Sequence, residues 1–217
     1  DISILTSALP NAVVGRPLTR QVCGLSFSGQ IQATGGKPPY NWSVSNGSLP
    51  TGLSLNSSTG EITGNPSSAG SQTFTVRVRD SESNASTRVF SLQSDSLLVH
   101  SFTPNAGGEG QVLTVYGENL GTGNSISLPT AANNSQQVTS AYSSGVTTAS
   151  FSGDTATCQQ VTATQPAGAA SGFLGISNGS NLIGTSTFPF IVTDVVINEV
   201  FFSPDSSENP FVFFFKK

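Results

Sequence analysis

Apolar and polar residues alternate in short runs along this chain. Ile2-Ser3-Ile4-Leu5, Gln30-Ile31-Gln32-Ala33, Tyr40-Asn41-Trp42-Ser43-Val44 and Phe74-Thr75-Val76-Arg77-Val78 each set every second residue on one face. A period of two marks a half-buried β-strand. Gly, Pro, Asn or Ser interrupts the runs every few residues. Gly35-Gly36-Lys37-Pro38-Pro39 cannot continue a ladder, because its two prolines lack an N–H. Leu49-Pro50-Thr51-Gly52-Leu53 and Ser58-Thr59-Gly60-Glu61 carry further turn signals. The rhythm leaves little room for a helix and predicts an all-β fold of antiparallel sandwiches. Alternation points Trp42 inward as a core anchor; stacking of Trp42 and Tyr40 on a sugar is the functional alternative.

The chain has 217 residues, enough for two tandem immunoglobulin-like β-sandwiches of about 100 residues each. We place the first at residues 1–95, the second at 96–194 and a C-terminal hydrophobic β tail at 195–217. The tail reads as two strands around the turn at residues 203–210. It holds six phenylalanines within residues 201–215. Each buried aromatic gains roughly 1.5–3 kcal/mol, so a tail this apolar is expected to be covered. It could dock on its own chain, or add to the sheet edge of a neighbouring copy, or continue into a longer protein. Donation to a neighbour is favoured, because both sandwiches have a full set of strands without it. Val195, Ile197, Val200, Phe201, Phe202, Phe211, Phe213, Phe214 and Phe215 are the candidate assembly residues.

Charge is sparse: 9% of residues, against about 25% in ordinary soluble domains. Ser, Thr, Asn and Gln supply the polarity, as on many extracellular β proteins. The eight Lys and Arg are scattered, so no basic face for nucleic acid is expected. No apolar run of about 18 residues occurs, and no membrane span is expected. The chain begins at Asp1 with no signal peptide, as a processed secreted protein would. Cys23 and Cys158 are disulfide candidates, one in each sandwich. A bond would clamp the two sandwiches or link two chains; buried free thiols are the alternative. His100 is the only histidine and is expected at a surface or an interface. The acids fall in turns or near the termini, with no nucleophile elbow, so no catalytic residue and no cofactor are expected. Asp80, Glu82 and Glu61 are the oxygen donors to weigh for calcium, but they read as solvated turn acids.

Residues 33–44 (ATGGKPPYNWSV), with Leu49-Pro50-Thr51-Gly52-Leu53, Ser58-Thr59-Gly60-Glu61-Ile62-Thr63-Gly64 and the closing Phe74-Thr75-Val76-Arg77-Val78-Arg79-Asp80, resemble the immunoglobulin (cadherin-like) repeats of bacterial surface proteins. That resemblance implies a non-catalytic sandwich repeat. Residues 16–30, including Cys23, are longer than the repeat's usual pattern. The opening at residues 97–121 and the stretches 161–172 and 175–179 resemble IPT/TIG domains, another immunoglobulin-like fold, whereas residues 122–157 match it poorly. Residues 196–200 weakly resemble the start of a lamin-tail domain.

Together these readings describe a non-catalytic extracellular or cell-surface structural protein whose partner is itself, in a homo-oligomer, filament or stalk. The alternative is an accessory module binding polysaccharide or another surface protein, with Tyr116 or Tyr142 stacking on sugar rings.

Overall fold

The structure, a computed structural model, describes residues 1–130, 137–178 and 181–192. The described residues form strands and turns only. The tail residues singled out above, from Val195 to Phe215, lie outside them.

The first sandwich is built on a long hairpin. Gly70–Arg79 pairs with Ala85–Asp95 through ten consecutive residue pairs. Asn41–Gly47 adds to one side, and Ala12–Val13 runs parallel to the end of the other. Phe74, Val76 and Val78 are buried, while Thr75, Arg77 and Arg79 turn outward. The alternation read from the sequence is thus the inside and outside of one sheet. Facing it are two small ribbons: Ser3–Ile4 with Ala33–Thr34, and Leu53–Leu55 with Ile62–Gly64. Leu18, Ile31, Ile62 and Leu92 are wholly buried between the layers, beside Trp42 at 4% exposure.

The hairpin turn is held by Asp80. Its carboxylate accepts hydrogen bonds from the backbone N–H groups of Glu82, Asn84 and Lys37 and from Asn84 Nδ2. The Asn84 amide, then those backbone donors, hold its carboxyl below the usual range against the opposing effect of burial. A Cβ on Gly36 would fall 2.6 Å from Asp80 Oδ2, which is why the neighbouring turn is glycine-rich. Glu82 pairs instead with Lys37, and Glu61 accepts from Thr19. Asp80 and Glu82 thus share one hairpin turn while Glu61 lies apart from them, and Asp80, at 5% exposure, is buried and not a solvated acid.

Only Ser96 and Leu97 separate the first sandwich's last strand from Leu98–Thr103 of the second. The second is a nine-stranded sheet among the described residues. It curls until Tyr142 and Ser143, just past the edge strand Gln137–Ala141, meet Ala163 and Thr162 on the strand Cys158–Thr164. Leu113, Val115, Ile126, Leu128, Val161, Leu174 and Ile176 fill its separate core. The poorly matching stretch supplies Ser125–Pro129, Gln137–Ala141 and Thr147–Ala149.

Gly60 lies in the left-handed region at φ +76°, and a Cβ there would sit 2.7 Å from Trp42 Cε2 and 2.9 Å from the Ile31 carbonyl oxygen. Gly60→Ala is expected to destabilise the first sandwich by about 2 kcal/mol or more, combining the left-handed penalty with the displacement of Trp42. The readout is a lowered urea midpoint with the slope unchanged.

Candidate functional site

The long loop at residues 16–30 is where the two sandwiches meet. Leu18 anchors its base in the first core. Beyond it, Arg20–Val22 and Leu25–Phe27 pair as a short hairpin. The two residues at its tip, Cys23 (φ 53°) and Gly24 (φ 72°), both have positive φ, as a tight two-residue hairpin turn demands. Glycine adopts this freely. Cysteine does so at some cost, and three contacts from the second sandwich hold it there.

The first contact is covalent. Cys23 and Cys158 form a disulfide with a Cα–Cα distance of 5.0 Å, across 135 residues of chain. In the chain-entropy account, closing a loop of that size stabilises the fold by about 5 kcal/mol. The second is the Asp154 carboxylate, whose two oxygens accept the Cys23 and Gly24 N–H groups, each at 3.1 Å. The third is main-chain pairing: Thr155 and Ala156 donate to the Gln21 carbonyl at 2.8 and 2.9 Å, and Gln21 N–H donates to Thr155 Oγ1 at 2.9 Å. Val22 and the half-buried Tyr116 pack around the disulfide.

At the hairpin's base lies a buried ionic cluster. Arg20 Nε donates to both oxygens of Glu118 at 3.0 Å, and Nη2 donates to Oε1 at 2.8 Å. Arg20 Nη1 reaches the Pro17 and Leu18 carbonyls. His100 Nε2 donates to the same Oε1 at 2.8 Å. Phe27 covers this side of both groups: the Arg20 guanidinium lies 4.4 Å from its ring centre, and the His100 ring 5.3 Å. Glu118 is 0% exposed. Burial alone would raise its pKa, but the hydrogen bonds from His100 and Arg20 and the charge of Arg20 outweigh it and hold the carboxyl below its ordinary range.

Local structure explains how His100 gets there. It is the extra residue at a register shift between Leu98–Thr103 and Val112–Glu118, so Val99 and His100 are both turned inward. His100 is therefore an interface residue and not a surface one. Glu118 corrects the expectation that the acids lie in turns or near termini. It ends a strand and is fully buried, while its Gly117-Glu118-Asn119 context reads as a turn. The cluster's atoms are spent on one another, as in a structural weld between domains.

The aromatic residues considered for sugar stacking are engaged elsewhere. Tyr116 packs at the disulfide and meets the Phe151 ring edge-on at 5.6 Å. Tyr142 lies against the second core and donates to the Leu120 carbonyl, and burial pushes its phenol up to about 12. Tyr40 donates to the Gly35 carbonyl at 2.6 Å, and Trp42 is in the core. Among the described residues, no group of three or more His, Cys, Asp or Glu is placed to hold a metal ion.

Fold and junction together define a tandem immunoglobulin-like protein. Residues 3–95 match the family described as "Putative Ig domain" (He_PIG). No curated protein matches the chain in sequence. Similar solved structures include a Bacteroides fragilis protein described as a "putative alpha-galactosidase" (25% identity, 43% of this chain, 17% of that one, TM-score 0.34). Others are the Bacteroides ovatus mixed-linkage glucan utilization locus protein SGBP-B, in complex with a mixed-linkage heptasaccharide (16% identity, 90% and 48%, TM-score 0.30), and mouse cadherin-23 EC22-24 (14% identity, 89% and 67%, TM-score 0.34). The chain spans less than half the length of the two Bacteroides proteins.

Glu118→Gln leaves the Arg20 charge buried without its counterion and is expected to cost about 3–5 kcal/mol by chemical unfolding. A pH dependence follows from the direction of the Glu118 shift. Its folded pKa lies below the ordinary 4.5, so the stabilisation is complete above that value and is lost as pH falls through the lowered one. With the disulfide reduced, the amides of residues 20–27 are expected to be strongly protected from exchange at pH 6, relative to the intrinsic rate at that pH, and to lose this protection as pH falls through the lowered Glu118 value. Protection that does not change with acid would contradict the weld.

Proposed function

We propose that this protein is a non-catalytic extracellular structural protein, a self-assembling surface filament or stalk subunit joined to the next copy through its C-terminal strands. Residues 1–95 and 96–194 act as two domains held as one unit by the disulfide and the ionic cluster. The observation that carries the reading is an apolar stripe on the outer face of the second sandwich. Phe173 and Pro189 are cross-strand partners, and Ile191 lies two residues further along the same face. Phe173 is 56% exposed and Ile191 46%. The stripe ends one residue before the last described residue, Val192, and the sequence runs on into the phenylalanine-rich residues 195–217. An exposed apolar stripe, followed in the sequence by so apolar a segment, supports contact between copies, because exposed apolar surface is costly in water. One copy giving its tail to the next is a head-to-tail contact, and contacts of that type propagate into filaments. Low charge removes most of the repulsion that would oppose close stacking. The immunoglobulin-like fold, and the pairing of His100 and Arg20 with the buried carboxylate of Glu118, support a structural role over a catalytic one.

The intact chain is expected to form regular fibres in negative-stain electron microscopy, with a repeat near the length of two sandwiches. Deleting residues 195–217 is expected to give dispersed two-lobed particles that keep the disulfide. Dispersed particles from the intact chain would overturn the filament reading.

A further inference from the structure

A groove of about 500 Å³ runs along the seam between the two sandwiches. One wall is the Gly15-Arg16-Pro17 segment of the first; the other is the edge strand Thr147–Ala149 and the loop that follows it to Cys158. The size lies within the range of small-ligand sites, and the junction of two domains is a usual place for one.

The chemistry of the walls is specific. Phe151 is 38% exposed, and Tyr116 meets its ring edge-on. Phe151 Cδ1 also lies 3.5 Å from where a Gly24 side chain would begin, so the ring rests against the hairpin tip. Thr148, Ser150 and Thr157 also line the groove, and their hydroxyls make no hydrogen bond among the described residues. Arg16 also lines the groove, and its guanidinium has no hydrogen-bond or ion-pair partner among the described residues. The one carboxylate on the lining, Asp154, is already turned to the Cys23 and Gly24 amides. An exposed ring face, unspent hydroxyls and a single free cation make a set complementary to a pyranose that carries a carboxylate. The ring's C–H face packs on Phe151, its hydroxyls bond to the Thr and Ser side chains, and Arg16 takes the carboxylate as a two-pronged donor.

We propose that this seam groove binds a uronic acid unit of an acidic polysaccharide. The site goes beyond the assembly reading and does not depend on it, since none of its residues lies in the tail or the apolar stripe. Its shape depends instead on the weld, because each sandwich supplies one wall.

The test uses the full chain and titrates it calorimetrically with a trimer of galacturonic acid and, separately, with cellotriose as a neutral sugar of similar size. Saturable binding of the acidic trimer, at least tenfold tighter than of the neutral one, is expected. Arg16→Gln should abolish that preference, and Phe151→Ala should weaken binding of the acidic trimer at least tenfold. A non-reducing gel and a thermal melt establish that each variant keeps the disulfide and the fold. If Phe151→Ala melts early, Thr148→Trp, which fills the groove from an exposed edge position, should block binding in its place. No binding of the acidic trimer by the unmodified chain, equal binding of both sugars, or unchanged binding by Arg16→Gln would each overturn the proposal. Fibre formation by the variants, seen in the microscope, separates loss of this site from loss of assembly.

Discussion

The arrangement of the two sandwiches depends on one buried carboxylate. Glu118 has no access to water, and an isolated charge there would be prohibitively costly. It is tolerated because Arg20 arrives from the other sandwich with two of its nitrogens, and His100 from its own. Arg20 can reach it only if the hairpin at residues 20–27 lies across the junction. That same placement delivers Cys23 to Cys158, Gln21 to Thr155 and the tip amides to Asp154. A paired buried charge adds little net stability over an apolar pair, but it is intolerant of misalignment. The carboxylate therefore sets the relative orientation, while the disulfide and the main-chain bonds supply most of the strength.

Much of the fold is legible in the sequence, for a local reason. Phe74, Val76 and Val78 alternate with outward residues, and sheet burial has the same period, so the pattern is the structure. The turns at Gly35-Gly36 and Gly60 are marked by the residue type that their backbone requires. In the second unit the strands Ser125–Pro129, Gln137–Ala141 and Thr147–Ala149 carry weak alternation, so the pattern says less there.

The junction was much less legible, because its determinants lie far apart. Arg20 and Glu118 are separated by 98 positions, and nothing near Glu118 announces that a guanidinium will meet it. Its neighbours Gly117 and Asn119 signal a turn, but the strand runs through Gly117 and ends only at Glu118 itself. His100 could be named as an interface residue, but the register shift that turns it inward leaves no composition mark. The unusual length of residues 16–30 was the available clue, and it pointed to the right segment without saying what the segment touches. The groove at the seam was invisible for the same reason: Arg16 and Phe151 acquire a common surface only once the hairpin has docked.

The position of the disulfide also has a mechanical meaning. In the filament or stalk proposed above, a subunit would be loaded in tension along its chain, and the crosslink joins points 135 residues apart. Force entering near one end and leaving near the other bypasses everything between Cys23 and Cys158 through a single covalent bond. At about 3.3–3.6 Å per extended residue, roughly 450 Å of slack is thereby withheld from stretching. Unravelling under load is confined to the strands outside the loop, and the hidden length stays folded for as long as the bond is oxidised.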